Sequence, residues 1–477
     1  MNEIVTQENI SNTFTSFAEK MTAAGLPQEL ISLFRSYYQK ILTQSSHFLR
    51  ERDIEAVSDQ ELDSAQDLSA DLEELGRKAI DQTVMIKLNG GLGTSMGMPY
   101  AKSLLKAKGE LTFLDIIMQQ SEGCDKPFAP QIPLVLMNSF KTHEDTLGYL
   151  RKKGLEESKW PRMFVQHKYP KINQNDLSPA SCPENRELEW NPPGHGDLYA
   201  ALLTSGMLDD LLSEGKQYAF VSNADNLGAV VDSAILGYFA QGEYPFMMEV
   251  ARRTPADTKG GHLARLANGK LTLREIAQCP EKDLDSFQDI EKYGFFNTNN
   301  IWLNLKLLRE YIDHYGLPQL PLILNPKTLN PRDENSPGIY QVETAMGAAI
   351  SCFDRAAAIQ VPRKRFIPVK KTNDLLLVRS DCYLMNDNCE LQLSPQIEKD
   401  PPKISLDPDY YKKIDQLDER FPYGPPSLKQ CQSFAVKGDT LFEDNIVCRA
   451  DVSVENYTGK QVVISSGSTL EGKVDFS

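Results

Sequence analysis

At 477 residues the chain exceeds what one ordinary hydrophobic core supports, so two or three domains around a dominant catalytic unit are expected. Its 41% hydrophobic and 25% charged residues are those of a water-soluble globular protein, and no apolar run approaches the length that spans a bilayer. The formal net charge of -15 repels polyanions at long range and argues against nucleic acid as a partner, whereas a small anionic substrate needs only a local cluster of lysines and backbone N–H groups.

The start, Met1 to Ile10, carries Glu3 and Glu8 and lacks a basic segment leading into an apolar stretch, so a cytoplasmic protein is expected. From Ile10 to about Ile80, Phe14, Phe17, Met21, Leu30, Leu33, Phe34 and Tyr37 recur at helical spacing and predict a helical N-terminal layer. Within it the acidic stretch Glu51 to Glu74 reads as a solvated helix face or a connector. After Asp81 the texture changes to short apolar runs separated by helical stretches: Val84 to Leu88, Ile132 to Met137, Met163 to Gln166 and Tyr218 to Ser222. That alternation predicts an α/β, mostly parallel, doubly wound sheet, whose ligands bind at the carboxyl ends of the strands.

The proline-rich stretch Cys389 to Pro426 reads as a connector. Beyond it Leu441, Ile446, Val452, Val463 and Leu470 recur between glycines, as in the turns of a short β-helix. The expected division is 1–80, a helical region; 81–385, the catalytic domain; and 386–477, a β-rich domain. Eight cysteines without C-x-x-C spacing disfavour a disulfide framework and a four-ligand zinc site, leaving buried or incidental thiols.

Directly after the first strand stands Asn89-Gly90-Gly91-Leu92-Gly93-Thr94-Ser95-Met96-Gly97, followed by Lys102 and Ser103. Glycines let the backbone turn tightly and expose N–H groups to a phosphate chain. Met96 breaks the G-x-G-x-x-G pattern and Ala101 breaks the P-loop pattern, so both common nucleotide loops are disfavoured. The run, with Leu88 before it, resembles the signature of the eukaryotic-type UTP-glucose-1-phosphate uridylyltransferases. The resemblance extends through Phe164 to Gln166, Pro192 to Asp197, Phe220 to Gly228, Lys259 to Gly261, Glu275 to Gln278, Phe296 to Asn300 and Arg365 to Lys370, covering roughly Val84 to Asp381.

The resemblance implies a nucleotidyltransferase sheet of the GT-A-like type, substrates UTP and glucose 1-phosphate, and Mg²⁺ as cofactor. It places Leu88, Asn89, Gly90 and Gly91 on the uracil and nucleotide backbone, with Gln166 and Gly194 completing base recognition. An amide offers the uracil edge both a donor and an acceptor. Lys102 and Lys370 are the implied catalytic cations on the phosphates, and Asp225 the metal ligand, since Mg²⁺ needs only one or two carboxylates beside phosphate oxygens. His195, Asn223, Gly261, Glu275 and Asn299 match positions that contact the hexose. One departure stands in the loop, where relatives read G-P-K-S and this chain reads Tyr100-Ala101-Lys102-Ser103.

The sugar 1-phosphate oxygen is already an anionic nucleophile, so the implied mechanism is a direct in-line displacement that needs no general base. Relatives acting on N-acetylhexosamine 1-phosphate or on several sugars share this chemistry. The Ser95-Met96 pair, where many acetylhexosamine enzymes carry Arg-Leu, favours glucose. A silent UDP-sugar-binding descendant is the other alternative, and the joint presence of Lys102, Asp225 and Lys370 argues against it. A monomer or small oligomer is expected, and no membrane partner.

Overall fold

The structure is a computed structural model that describes residues 7–43, 48–123, 131–331, 333–398 and 400–477. Residues 1–6 and Cys124, on which two of the sequence expectations bear, lie outside them.

A ten-stranded mixed sheet forms the centre, in the order Ile54–Ala56, His262–Leu266, Phe295–Asn304, Tyr218–Asn223, Thr83–Asn89, Leu134–Asn138, Arg162–Val165. Phe246–Arg252 and Ala357–Gln360 extend it beside Phe295–Asn304, and Leu271–Arg274 pairs with His262–Leu266. The last four strands of the main order run parallel. Parallel strands are covered on both faces, so they read as continuous apolar runs whose side chains alternate between two cores. Val84, Ile86, Val135, Met137, Ala219 and Val221 face one core. Met85, Leu134, Leu136 and Phe220 face the other, where Phe113–Glu122 and Ser233–Gln241 pack as helices. Each such burial stabilises the fold by roughly 1.5–3 kcal/mol.

At the N-terminus Gln7–Ala23 and Gln28–Leu42 are helices joined at Gly25, and they bury Phe14, Phe17, Phe34, Tyr37 and Tyr38 against Tyr169. Most of the acidic stretch is neither of the two forms expected of it, although Asp71 and Glu74 do stand exposed on a helix. It makes short 3₁₀ turns, then the edge strand Ile54–Ala56 of the central sheet, and only from Ala70 a helix, Ala70–Ala79. After His195 the chain forms two short helices, Leu198–Thr204 and Met207–Ser213. Gly206 at φ +79° turns the chain between them.

The C-terminal strands Lys403–Leu406, Ser427–Lys437, Val447–Asn456 and Thr469–Phe476 stack in parallel, and Thr440–Phe442 pairs in parallel with Val462–Ile464. This is β-helix-like stacking, but Val463 is exposed and Ile464 is buried, as are Phe442, Val452 and Leu470. A shift of one residue in a strand changes the face that a side chain occupies. Six cysteines are free thiols among the described residues, five of them buried. Cys389, by contrast, is disulfide-bonded, which corrects the expectation of thiols throughout.

Two histidines held neutral, His262 and His195, give the fold a definite response to acid. His262 is fully buried, stacks on Tyr293 at 3.8 Å between ring centroids, and its Nε2 has no hydrogen-bond partner. Burial pushes its imidazole down to about 3, and burial pushes His195 down to about 4. Below the ordinary value near 6.5 the unfolded chain takes up protons that the folded one refuses, so stability falls as pH falls through this window. His262→Phe keeps the ring and removes one titration. Between pH 7 and pH 5 the wild type is expected to lose about 2 kcal/mol more than the variant. Urea midpoints at the two pH values measure the difference, and equal acid losses would contradict it.

Candidate active site

In the parallel part of the sheet, register brings several strand ends level: Asn223 lies opposite Leu88, Asn89 opposite Asn138, and Asn138 opposite Val165. A cavity of about 260 Å³ opens at this edge. Leu88 to Gly91 and Gln166 line one part of it, Gly194 and His195 another, and Lys102, Asn223 and Asp225 a third. The carboxyl edge of parallel strands is where side chains from separate loops converge without disturbing the sheet.

The glycine loop is built from its own backbone and fixed from below. The Asn89 side chain is buried and donates to Asn138 Oδ1 at 2.7 Å and Thr146 Oγ1 at 3.0 Å. Its carbonyl accepts from Thr142 Oγ1, so this side chain serves the loop's footing. The Lys102 N–H returns to the Gly91 carbonyl at 3.1 Å, closing the loop. The departure at Ala101 acquires a physical meaning here. Its N–H donates to Asp145 Oδ2 at 2.9 Å, a bond that proline cannot make, so a tether replaces the ring's restraint on the backbone leading into Lys102.

Lys102 Nζ donates to Asp225 Oδ2 at 2.6 Å, and both side chains are largely covered. The other oxygen, Asp225 Oδ1, is buried with no partner. A carboxylate oxygen left bare beside a cavity suits a hard divalent cation that takes its remaining ligands from phosphate oxygens. Among the described residues no group of three or more His, Cys, Asp or Glu could form a complete protein cage. Any cation held here would need further ligands from outside that set, such as water or phosphate oxygens.

Gln166 is buried, and its amide approaches to 3.2 Å from where a Cβ on Gly90 would stand. Gly194 adopts φ +76° and ψ 177°, a region essentially confined to glycine, and a Cβ there would sit 2.5 Å from the Thr344 carbonyl. That close approach delivers His195 to the cavity. The Met346 N–H donates to His195 Nδ1 at 3.0 Å, so the neutral ring carries its proton on Nε2. His195 thus offers a donor at Nε2 and is a poor acceptor of protons.

Gly261, Glu275 and Asn299 form a second group, which does not line this cavity. A Cβ on Gly261 would stand 2.7 Å from the Glu275 carboxyl, so only glycine lets that carboxyl lie against the chain. Burial raises the pKa of Glu275, and the charge of Lys370 opposes the rise, which puts Lys370 near the group. Asn299 has φ +59° and is clasped by Asn297, each donating to the other at 2.9 Å. The Gly261 carbonyl accepts from the Asn297 N–H, joining the group. Lys370 is exposed; the preceding Val369 N–H donates to the Asp225 carbonyl at 3.1 Å, and the Lys370 carbonyl accepts from Ser95 Oγ at 3.2 Å. Lys370 thus hangs from a segment bound to both the backbone of Asp225 and the glycine loop.

Ser103, Met137 and Ala224 also line the cavity; they stand within the quoted runs, which give them no role of their own. Lys87 is a further surprise. It is fully buried and donates to Ser222 Oγ at 2.8 Å and the Ala229 carbonyl at 2.6 Å, bracketing the turn that carries Asp225. Burial pushes its ammonium down to about 7. A lone charge inside the otherwise apolar strand Val84 to Leu88 was the available signal.

Phosphate-type loop, lysine–carboxylate pair and mixed sheet together define the nucleotidyltransferase class. The sequence model described as UTP–glucose-1-phosphate uridylyltransferase matches residues 31–449. The chain belongs to this family. It is 40% identical over 402 residues to the UTP–glucose-1-phosphate uridylyltransferase of Musa acuminata, covering 84% of each protein. With the enzyme of Hordeum vulgare the identity is 41% over 395 residues, covering 83% of this chain and 81% of the relative. A variant of the UDP-glucose pyrophosphorylase from Leishmania major, solved in complex with UDP-glucose, superposes with a TM-score of 0.89 at 39% identity. The match covers 97% of this chain and 98% of the other.

Proposed function

We propose that the chain transfers the uridylyl group of UTP to glucose 1-phosphate, forming UDP-glucose and pyrophosphate with Mg²⁺ as cofactor. The observation that carries the reading is the convergence, in one cavity, of the glycine loop, the buried Gln166 amide and the Lys102–Asp225 pair. Family membership supplies the substrate class.

Gln166 and the backbone of Leu88 to Gly91 read the uracil edge by paired donor and acceptor. Lys102, oriented by Asp225 Oδ2, faces the incoming phosphates. Asp225 would hold Mg²⁺, which would supply charge neutralisation at the phosphates. The sugar hydroxyls meet Glu275, Asn299 and Asn223, with His195 Nε2–H as a fixed donor. The phosphate oxygen of glucose 1-phosphate attacks the α-phosphorus and pyrophosphate leaves on the opposite side, so no proton needs to be removed. What must be overcome is repulsion between anions, and the positioned cations Lys102 and Lys370 lower it. Neutral His195 fits this chemistry, because a donor is needed and a base is not.

Pyrophosphate release, measured with UTP, Mg²⁺ and a panel of sugar 1-phosphates, tests the reading. Glucose 1-phosphate is expected to give a kcat/KM at least about tenfold above that of N-acetylglucosamine 1-phosphate, a margin of ~1.4 kcal/mol. An equal or better rate with the acetylated sugar would overturn the choice of glucose. Turnover with none of them would overturn the enzymatic reading.

A further inference from the structure

The carboxyl of Glu249 lies inside the central sheet, fully buried, and all its acceptor sites are used. Oε2 accepts from Arg365 Nε at 2.8 Å and Asn300 Nδ2 at 3.0 Å, and Oε1 accepts from Arg365 Nη2 at 2.6 Å and Trp302 Nε1 at 3.0 Å. Neither Glu249 nor Arg365 touches the cavity, yet Arg365 begins the segment that ends in Lys370. A buried ion pair is weak evidence of added stability, and its better-attested use is to specify one arrangement.

What that arrangement specifies is visible at Asn226, the residue after Asp225. Asn226 is buried; its Nδ2 donates to the Arg365 carbonyl at 3.0 Å and to Asn300 Oδ1 at 3.3 Å. Its Oδ1 accepts from the N–H of Ile367 at 2.8 Å and of Gly228 at 3.3 Å. One side chain therefore stitches the turn that presents Asp225 to the segment that presents Lys370. The two backbones continue the seam through a bridge between Asn226 and Pro368 and the Val369 N–H bond to the Asp225 carbonyl.

We propose that Asn226, braced by the buried Glu249–Arg365 pair, is a positioning residue that sets Lys370 relative to Asp225 for the reaction. The proposal rests on the catalytic reading of Lys370. An exposed lysine on a free loop samples many positions, and misplacing a charged group by about 1 Å costs on the order of 10² in rate. Asn226 and Glu249 remove that freedom from the backbone while the Lys370 side chain stays mobile enough to meet the phosphate.

A double-mutant cycle tests it. Asn226→Ala is expected to lower kcat about tenfold or more with KM for UTP within about twofold, because the UTP-binding loop is untouched. In a Lys370→Ala background the same change is expected to cost less than about twofold, since nothing remains to be positioned. Asn226→Ser, which keeps an oxygen acceptor for Ile367, is expected to fall between alanine and wild type, and replaces Asn226→Ala in the cycle should the alanine variant not fold. Equal losses in both backgrounds would show a general structural role and overturn the proposal. Near-normal turnover by Lys370→Ala alone would overturn the reading of Lys370 beneath it.

Discussion

Lys370→Ala is expected to depress kcat and kcat/KM by similar factors, on the order of 10² or more, while UTP binds almost as before. The expectation follows from where the residue hangs. Its side chain is exposed, it does not line the cavity, and it is carried by a segment fixed to Asp225 and Ser95. A cation in that place contributes little to holding UTP in the ground state and most when charge redistributes around the α-phosphorus. Lys102 gives the contrast, since it lines the cavity and its Nζ is 2.6 Å from Asp225 Oδ2. Its removal is expected to raise KM for UTP as well as lower kcat. Calorimetry of UTP binding and coupled pyrophosphate release on Lys370→Ala check the split. A surface lysine without a role would change the rate by less than about threefold.

Asp225→Ala is expected to cost at least ~2–3 kcal/mol of barrier, which is ~30- to 150-fold in kcat, and to raise the Mg²⁺ concentration needed for half-maximal rate. The carboxylate has two distinct tasks. Oδ2 orients Lys102, and Oδ1 is the buried, unpartnered oxygen that suits the cation. Removing both also leaves Lys102 without its partner, so the loss in rate exceeds that of a metal ligand alone. The fold is expected to survive, because the pair sits at the mouth of the sheet and retains some solvent contact. A magnesium titration of kcat beside a thermal melt checks both parts. Wild-type activity of the variant at low Mg²⁺ would contradict the assignment.

Local signals carried much of the architecture. The four parallel strands announced themselves as short, mainly apolar runs, with Lys87 the one charge inside Val84 to Leu88, and the glycine loop by a spacing unlike other phosphate loops. The strand Ile54–Ala56 was hidden, since three residues in an acidic stretch carry no period and their pairing with His262–Leu266 spans some two hundred residues. Val463 and Ile464 are both β-branched and apolar, so composition alone could not say which faces inward. In the candidate site the residues at strand ends stood out by position and Lys87 by its charge in an apolar run, whereas Asn226 and Glu249 look like ordinary polar residues until the fold brings their partners. The role of Ala101 was legible only as a missing proline; the bond to Asp145 that compensates crosses between elements.

The most direct test of the account is isotope exchange between labelled pyrophosphate and UTP, run with Mg²⁺ in the presence and absence of glucose 1-phosphate. Direct in-line transfer predicts UDP-glucose and pyrophosphate in equal amounts when the sugar phosphate is present, and no label entering UTP when it is absent. Label entering UTP without the sugar phosphate would reveal a covalent uridylyl-enzyme, and failure to form UDP-glucose with both substrates present would contradict the assigned reaction itself.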